Sequence, residues 1–129
     1  MVEKQCCETP EETMVIFACA GASNVGQMTN EAARLLDAQG VGRYFCLAGI
    51  AARVSGMMES TKAAGKILAL DGCAVACARK TLKLAGFRPD HYLQVTDQGI
   101  EKDHNWIEIP PGGVKNTVEK AKKLASARR

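Results

Sequence analysis

Short continuous apolar runs alternate with longer apolar stripes along this chain. Met14–Ala18, Arg43–Cys46, Lys66–Leu70 and Tyr92–Thr96 are brief, rich in β-branched or aromatic residues, and end in glycine, cysteine or aspartate turns. None alternates polar with apolar at period two. Continuous runs of this length suit parallel strands that are buried on both faces. Between them the apolar residues recur at helical spacing. Val25, Met28, Ala32 and Leu35 form one stripe, with Ser23 or Asn24 placed to cap its start and Gly40 to stop it. Ile50, Val54, Met57, Met58 and Thr61 form a second, closed by Gly65, with Met57 and Met58 as core or as an oligomer face. Val75, Ala78, Leu82 and Ala85 form a third, ended by Gly86 with Pro89 beyond. Pro110-Pro111-Gly112-Gly113 is a breaker, after which Val114, Val118, Ala121 and Ala125 outline a last helix. Asn105–Ile109 suggests a short edge strand before it.

Strands that alternate with helices imply right-handed crossovers. The pattern predicts an α/β fold of three layers, Rossmann-like, with a mostly parallel sheet of about four strands and helices on both faces. Residues 1–12 read as an N-terminal arm and residues 13–129 as a single domain. The 129 residues suffice for one core without covalent staples.

Composition narrows the class. Hydrophobic residues at 47% and charged residues at 24% are ordinary for a soluble globular protein. No apolar run is long enough to cross a bilayer, and the N-terminal stretch lacks the apolar core of a signal peptide. The expectation is therefore a cytoplasmic protein with no membrane partner. The net charge of +3 comes largely from Lys120, Lys122, Lys123, Arg128 and Arg129. No aromatic residues accompany that tail, so it reads as a solvated helix end rather than a nucleic-acid surface. A homodimer is compatible with the sequence, and no specific feature calls for one.

In a reducing compartment six cysteines point to metal or thiol chemistry rather than to disulfides. On the predicted topology Cys19 follows the first strand, Cys46 ends the second, Cys73 follows the third, and Cys77 lies one helical turn beyond Cys73. The carboxyl ends of parallel strands are where open sheets form their sites. Four cysteines thus converge on one edge of the sheet. Helix N-termini there offer unpaired N–H groups and a positive dipole end, a setting that favours thiolates. A closed four-thiolate site suits tetrahedral zinc, and an iron–sulfur cluster takes the same ligands. Asp71 is expected to turn its carboxylate away from the thiols onto backbone N–H groups, and Gly72 to permit the sharp turn. Together with Ser23, Asn24 and Asp97 they are expected to orient the site. Cys6 and Cys7 stay as additional metal or redox candidates. His91, at the amino end of the fourth strand, reads as a surface residue. His104, in a polar loop near the carboxyl edge, is a modest candidate for a ligand or base.

Several linked motifs carry a family resemblance. Phe17-Ala18-Cys19-Ala20-Gly21-Ala22-Ser23-Asn24-Val25-Gly26-Gln27, Phe45-Cys46-Leu47-Ala48-Gly49-Ile50, Asp71-Gly72-Cys73-Ala74-Val75-Ala76-Cys77-Ala78-Arg79-Lys80 and Val95-Thr96-Asp97-Gln98-Gly99-Ile100-Glu101-Lys102 resemble the DGC-domain family. The resemblance implies a zinc-binding protein of unknown biological role, with Cys19, Cys46, Cys73 and Cys77 as the metal ligands. It implies no established activity.

A second, partial resemblance supplies the competing function. Val15-Ile16-Phe17-Ala18-Cys19-Ala20-Gly21-Ala22-Ser23, followed by Gln27-Met28, is similar to the opening of low-molecular-weight phosphatases and the related arsenate reductases. That resemblance implies a cytosolic thiol-redox or oxyanion enzyme in which Cys19 is the catalytic nucleophile. Cys73 and Cys77 would then serve as a resolving pair. Val25 stands where those enzymes place the arginine that clamps the oxyanion. A binding protein is thus favoured over an enzyme.

Overall fold

The computed structural model describes residues 13–105 and 108–126. Strand β1 (Met14–Ala18) is central, and every one of its residues is buried. It pairs with β2 (Arg43–Tyr44) on one side and with β3 (Lys66–Asp71) on the other. The edge strand β4 (His91–Gln94) pairs with β3, giving the order β2-β1-β3-β4. All three pairings are parallel, with Ile16 opposite Leu68 and Leu70 opposite Leu93.

Alternate side chains of β1 and β3 enter two separate cores, which makes the three layers. Ile16, Ala18, Leu68 and Leu70 pack with Val25, Met28, Ala32 and Leu36 of helix α1 (Asn24–Ala38) and with Val118 and Ala121 of helix α5 (Pro111–Ser126). Val15, Phe17, Ile67 and Ala69 face the opposite side. There they pack with Ile50 of α2 (Leu47–Ala51), Met57 and Met58 of α3 (Ser55–Ala63) and Leu82 of α4 (Cys77–Leu84). Phe17 and Phe45 meet edge to face at 6.0 Å on this second side. Among the described residues no helix is long and apolar enough to cross a membrane.

The main departures from the sequence reading lie at element ends. Leu36 rather than Leu35 completes the buried stripe of α1, and Leu35 is 41% exposed. The expected helix through Ile50–Thr61 is two helices, because Arg53 adopts φ 59° and its guanidinium donates to the Ile50 and Leu84 carbonyls. Strand β2 stops at Tyr44, so Cys46 becomes the residue that opens α2. Strand β4 stops at Gln94, and Val95–Gln98 form a 3-10 turn closed by Gly99 at φ 87°. Asn105, Glu108 and Ile109 form no strand; Trp106 and Ile107 lie outside the described residues. The breaker at 110–113 opens α5 instead of preceding it, with Pro111 as the first helical residue, where its missing N–H costs nothing. His91 is 7% exposed and therefore not a surface residue. The arm of residues 1–12, with Cys6 and Cys7, lies outside the described residues.

Candidate metal centre

Cys19 is the first residue past β1, and its N–H donates to the Leu70 carbonyl at 3.0 Å, which ties it to the end of β3. Its sulfur lies 3.7 Å from Thr29 Oγ1. That hydroxyl also accepts from Ala20 N–H at 3.0 Å and donates to the Gly26 carbonyl at 2.7 Å. A buried threonine on α1 therefore organises the Cys19 loop. The sequence signal for Thr29 is its place on the buried stripe between Val25 and Ala32, where a hydroxyl needs a partner. Ala20, next to Cys19, and Ala76, next to Cys77, both sit in the left-handed region, at φ 50° and φ 59°. Non-glycine residues hold such backbone only where the surroundings impose it, and here both adjoin a cysteine.

Asp71, Gly72 and Cys73 each do a separate job. Asp71 is 1% exposed. One carboxylate oxygen accepts from Ala78 N–H at 2.7 Å; the other accepts from Arg79 N–H at 3.1 Å and from the Tyr92 hydroxyl at 2.9 Å. It thereby anchors the start of α4 to the end of β3, across a loop that contains both Cys73 and Ala76. Helix α4 begins only at Cys77. Cys73 and Cys77 thus do not share a helical face as the i, i+4 spacing suggested, because Cys73 belongs to the loop before the helix. Gly72 is needed for close approach rather than for a left-handed turn: a Cβ there would stand 2.8 Å from the Gly26 nitrogen and the Val25 carbonyl carbon. The third strand end can lie directly on the first turn of α1 only because this residue lacks a side chain.

These placements bring Cys19, Cys73 and Cys77 to the lining of one cavity of about 280 Å³, together with Lys102 and His104. Lys102 Nζ stands 3.4 Å from the Cys73 sulfur. Cys46 is elsewhere. It lines a second cavity of about 520 Å³ with Tyr44, Phe45 and Leu47, on the β2 side of β1, and Cys19 lines both cavities. Burial, and then the Cys19 and Cys46 side chains, push the Tyr44 phenol above its usual value. Asp97 is exposed and lies in a third groove, with Lys120 and Lys123. Asp97 follows β4 in the 3-10 turn and is not among the residues that line the thiol cavity, where the sequence reading expected it.

Ser23 and Asn24 do structural work at the cavity wall. Ser23 caps α1 by accepting from Gly26 N–H at 3.0 Å. The Asn24 amide oxygen accepts from Val25 N–H and from Asp103 N–H, while its NH₂ donates to the Glu101 carbonyl. The segment that carries Lys102 and His104 is thereby fastened to the start of α1.

All four described cysteines are free thiols. As a donor set, three thiols and an imidazole on one cavity suit a soft or borderline cation such as zinc. Their spacing is open: among the described residues no three His, Cys, Asp or Glu side chains stand close enough together to hold an ion. The phosphatase-like chemistry of the Cys19 loop fares worse. An oxyanion cradle needs free loop N–H groups. Here those of Ala20, Ser23, Asn24, Val25 and Gly26 already donate to acceptors within the chain. Val25, at the arginine position, is fully buried.

The family described as "DGC domain" matches residues 15–121. The "Anaerobic and virulence modulator AnvM" of Pseudomonas aeruginosa is 30% identical over 95 residues, which cover 73% of this chain and 72% of that protein. No solved structure matches the chain.

Proposed function

We propose that this chain, which belongs to the DGC-domain family, binds zinc or a comparably soft ion through Cys19, Cys73 and Cys77 in an exchangeable site. One observation carries the reading. Three free thiols from the ends of β1 and β3 and the start of α4 line a single cavity, yet they are not drawn together into a cage. A structural zinc site is closed and four-coordinate. Here an ion has to pull the 72–76 loop inward, and the work of closure lowers the observed affinity. Weak, reversible capture coupled to a loop movement is what a sensor or carrier of metal requires. The name of the relative AnvM, a modulator, is of that regulatory kind.

When bound, zinc would supply a charge that the thiolates neutralise, and no reaction step is implied. The residues that hold the cavity in shape are those described above: Asp71 fixes the start of α4, Gly72 seats the loop, and Thr29 holds the turn after Cys19. Equilibrium dialysis of the reduced apo-protein against zinc, with elemental analysis of both compartments, tests the reading. About one ion per chain is expected. It should leave readily to a chelator and be lost in Cys77→Ser. No retained zinc, with every thiol still titratable, would overturn it.

A further inference from the structure

A groove between β4 and α5 lies apart from the thiols, and no described cysteine lines it. We propose that it docks an extended acidic segment of a partner protein, which adds beside β4 as a fifth strand of the sheet. The proposal stands independently of metal binding.

The sheet has two outer strands, and they differ in what they offer. Strand β2 is two residues long and turns at once into the start of α2. Strand β4 is four residues long and has α5 along its outer side. Asp90 N–H donates to the Ile67 carbonyl at 2.8 Å, and Thr96 N–H donates to the Gly72 carbonyl at 3.1 Å. In a parallel ladder alternate residues bond to the same neighbour. Tyr92 and Gln94 therefore face β3, and Leu93 turns its N–H and carbonyl outward, where no described residue pairs with them. An outer edge of this kind is a template for a further strand.

The groove itself, about 490 Å³, sets the chemistry of the occupant. Leu93 and Leu124 supply apolar wall, and Lys120 and Lys123 lie one turn apart on α5. Both lysines are exposed, and neither is ion-paired among the described residues, where Lys122 holds Glu119. The carboxylate in the groove, Asp97, already accepts from Gln94 Nε2 at 3.3 Å, and two ammoniums stand against it. Gln98 has a demand that the chain does not meet. Its Nε2 donates to Thr117 Oγ1 at 2.9 Å, while its Oε1 is buried without a hydrogen-bond partner. Turning the amide over would leave the nitrogen unmet instead. A buried polar atom without a partner is rare, and here it borders the groove.

An extended peptide answers these features together. Its backbone pairs with Leu93. Residues two apart share one face of a strand, so an apolar residue can meet Leu93 and Leu124 while acidic ones meet the lysines. The same two ammoniums reject a basic segment.

The probe is the acetylated hexapeptide Thr-Val-Thr-Glu-Thr-Glu, which puts valine and both glutamates on one face. It is titrated into the isotopically labelled full chain at low salt and followed by amide NMR. A lysine-for-glutamate peptide and a fully N-methylated acidic peptide, which cannot donate to a strand, run beside it. The acidic peptide alone is expected to bind, with its largest shifts at Leu93, Gln94 and the 120–124 turn. Its affinity should fall as salt rises. Lys120→Glu/Lys123→Glu should weaken it about tenfold and admit the lysine peptide instead. Matched circular dichroism checks the fold of that variant, and the N-methylated peptide tests strand pairing on the wild type. No binding of the acidic peptide, shifts that miss Leu93, equal binding of either control peptide, or unchanged affinity in the charge-reversed chain overturns the proposal.

Discussion

Lys102 and Cys73 are 29 residues apart in sequence, and the lysine ammonium meets the sulfur at 3.4 Å. A positive charge at the mouth of a thiol cavity draws anionic reagents to that sulfur before they draw to others. A doubly negative aromatic disulfide should therefore label Cys73 about three- to tenfold more slowly in Lys102→Met at low ionic strength. The difference should shrink in high salt, and Cys46, in the other cavity, should react as in the wild type. Peptide-resolved mass spectrometry over a time course separates the sites. A salt-independent change would assign the lysine a steric role instead.

Asp71 accepts three hydrogen bonds while nearly inaccessible to solvent. Asp71→Ala leaves two amide groups at the start of α4 and one phenol without their acceptor. It is expected to cost about 2–4 kcal/mol in urea unfolding and to loosen Cys77 with the helix start. Tyr92→Phe removes one of the three donors and should cost about 1 kcal/mol.

The same pair sets an alkaline limit. Burial, followed by the bond to Asp71 and its negative charge, holds the Tyr92 phenol well above its ordinary value of 10.0. The folded form thus keeps a proton that the unfolded chain gives up. This contribution is complete below the ordinary phenol value and is lost as pH rises beyond it. Unfolding midpoints measured between pH 8 and pH 11.5 should fall more steeply in the wild type than in Tyr92→Phe. Parallel curves would remove Tyr92 from the account.

Gly72 lies against the backbone of α1, and a methyl group there meets atoms that cannot swing aside. Gly72→Ala is expected to cost about 1–3 kcal/mol. Because the displaced loop carries Cys73, the variant should also bind zinc more weakly than the lost stability alone would suggest. Denaturation and chelator competition on the same preparation check the two effects.

Asn24→Ala frees the backbone on both sides of Lys102. Amide exchange at Asp103 should accelerate strongly, while amides of β1 and β3 keep their protection. Val25 and Asp103 lose an acceptor, so a stability loss of about 1–3 kcal/mol is expected alongside. Equal acceleration across the whole chain would mean that Asn24 supports the fold at large rather than this segment.

The sheet was legible because its strands are continuous apolar runs. Met14–Ala18 forms the strand at the residues the pattern marks, and the third run extends one residue further, to Asp71. The helices were legible as stripes but not at their ends. Capping and left-handed residues such as Arg53 and Ala76 are decided by tertiary hydrogen bonds that no local pattern carries. Positions after strands put the cysteines at one edge of the sheet. They did not say which cysteines share a cavity, since that depends on strand order. The role of Asn24 was hidden for a related reason: its partners Glu101 and Asp103 lie 77 and 79 residues away. A short polar residue at a helix start reads from the sequence only as a cap.

The two core-facing sets of β1 side chains hold the centre of the sheet from both sides, and β1 ends at Ala18, directly before Cys19. That cysteine is the single wall common to both cavities. A group placed on the Cys19 sulfur therefore changes the lining of both cavities at once, on either side of the strand.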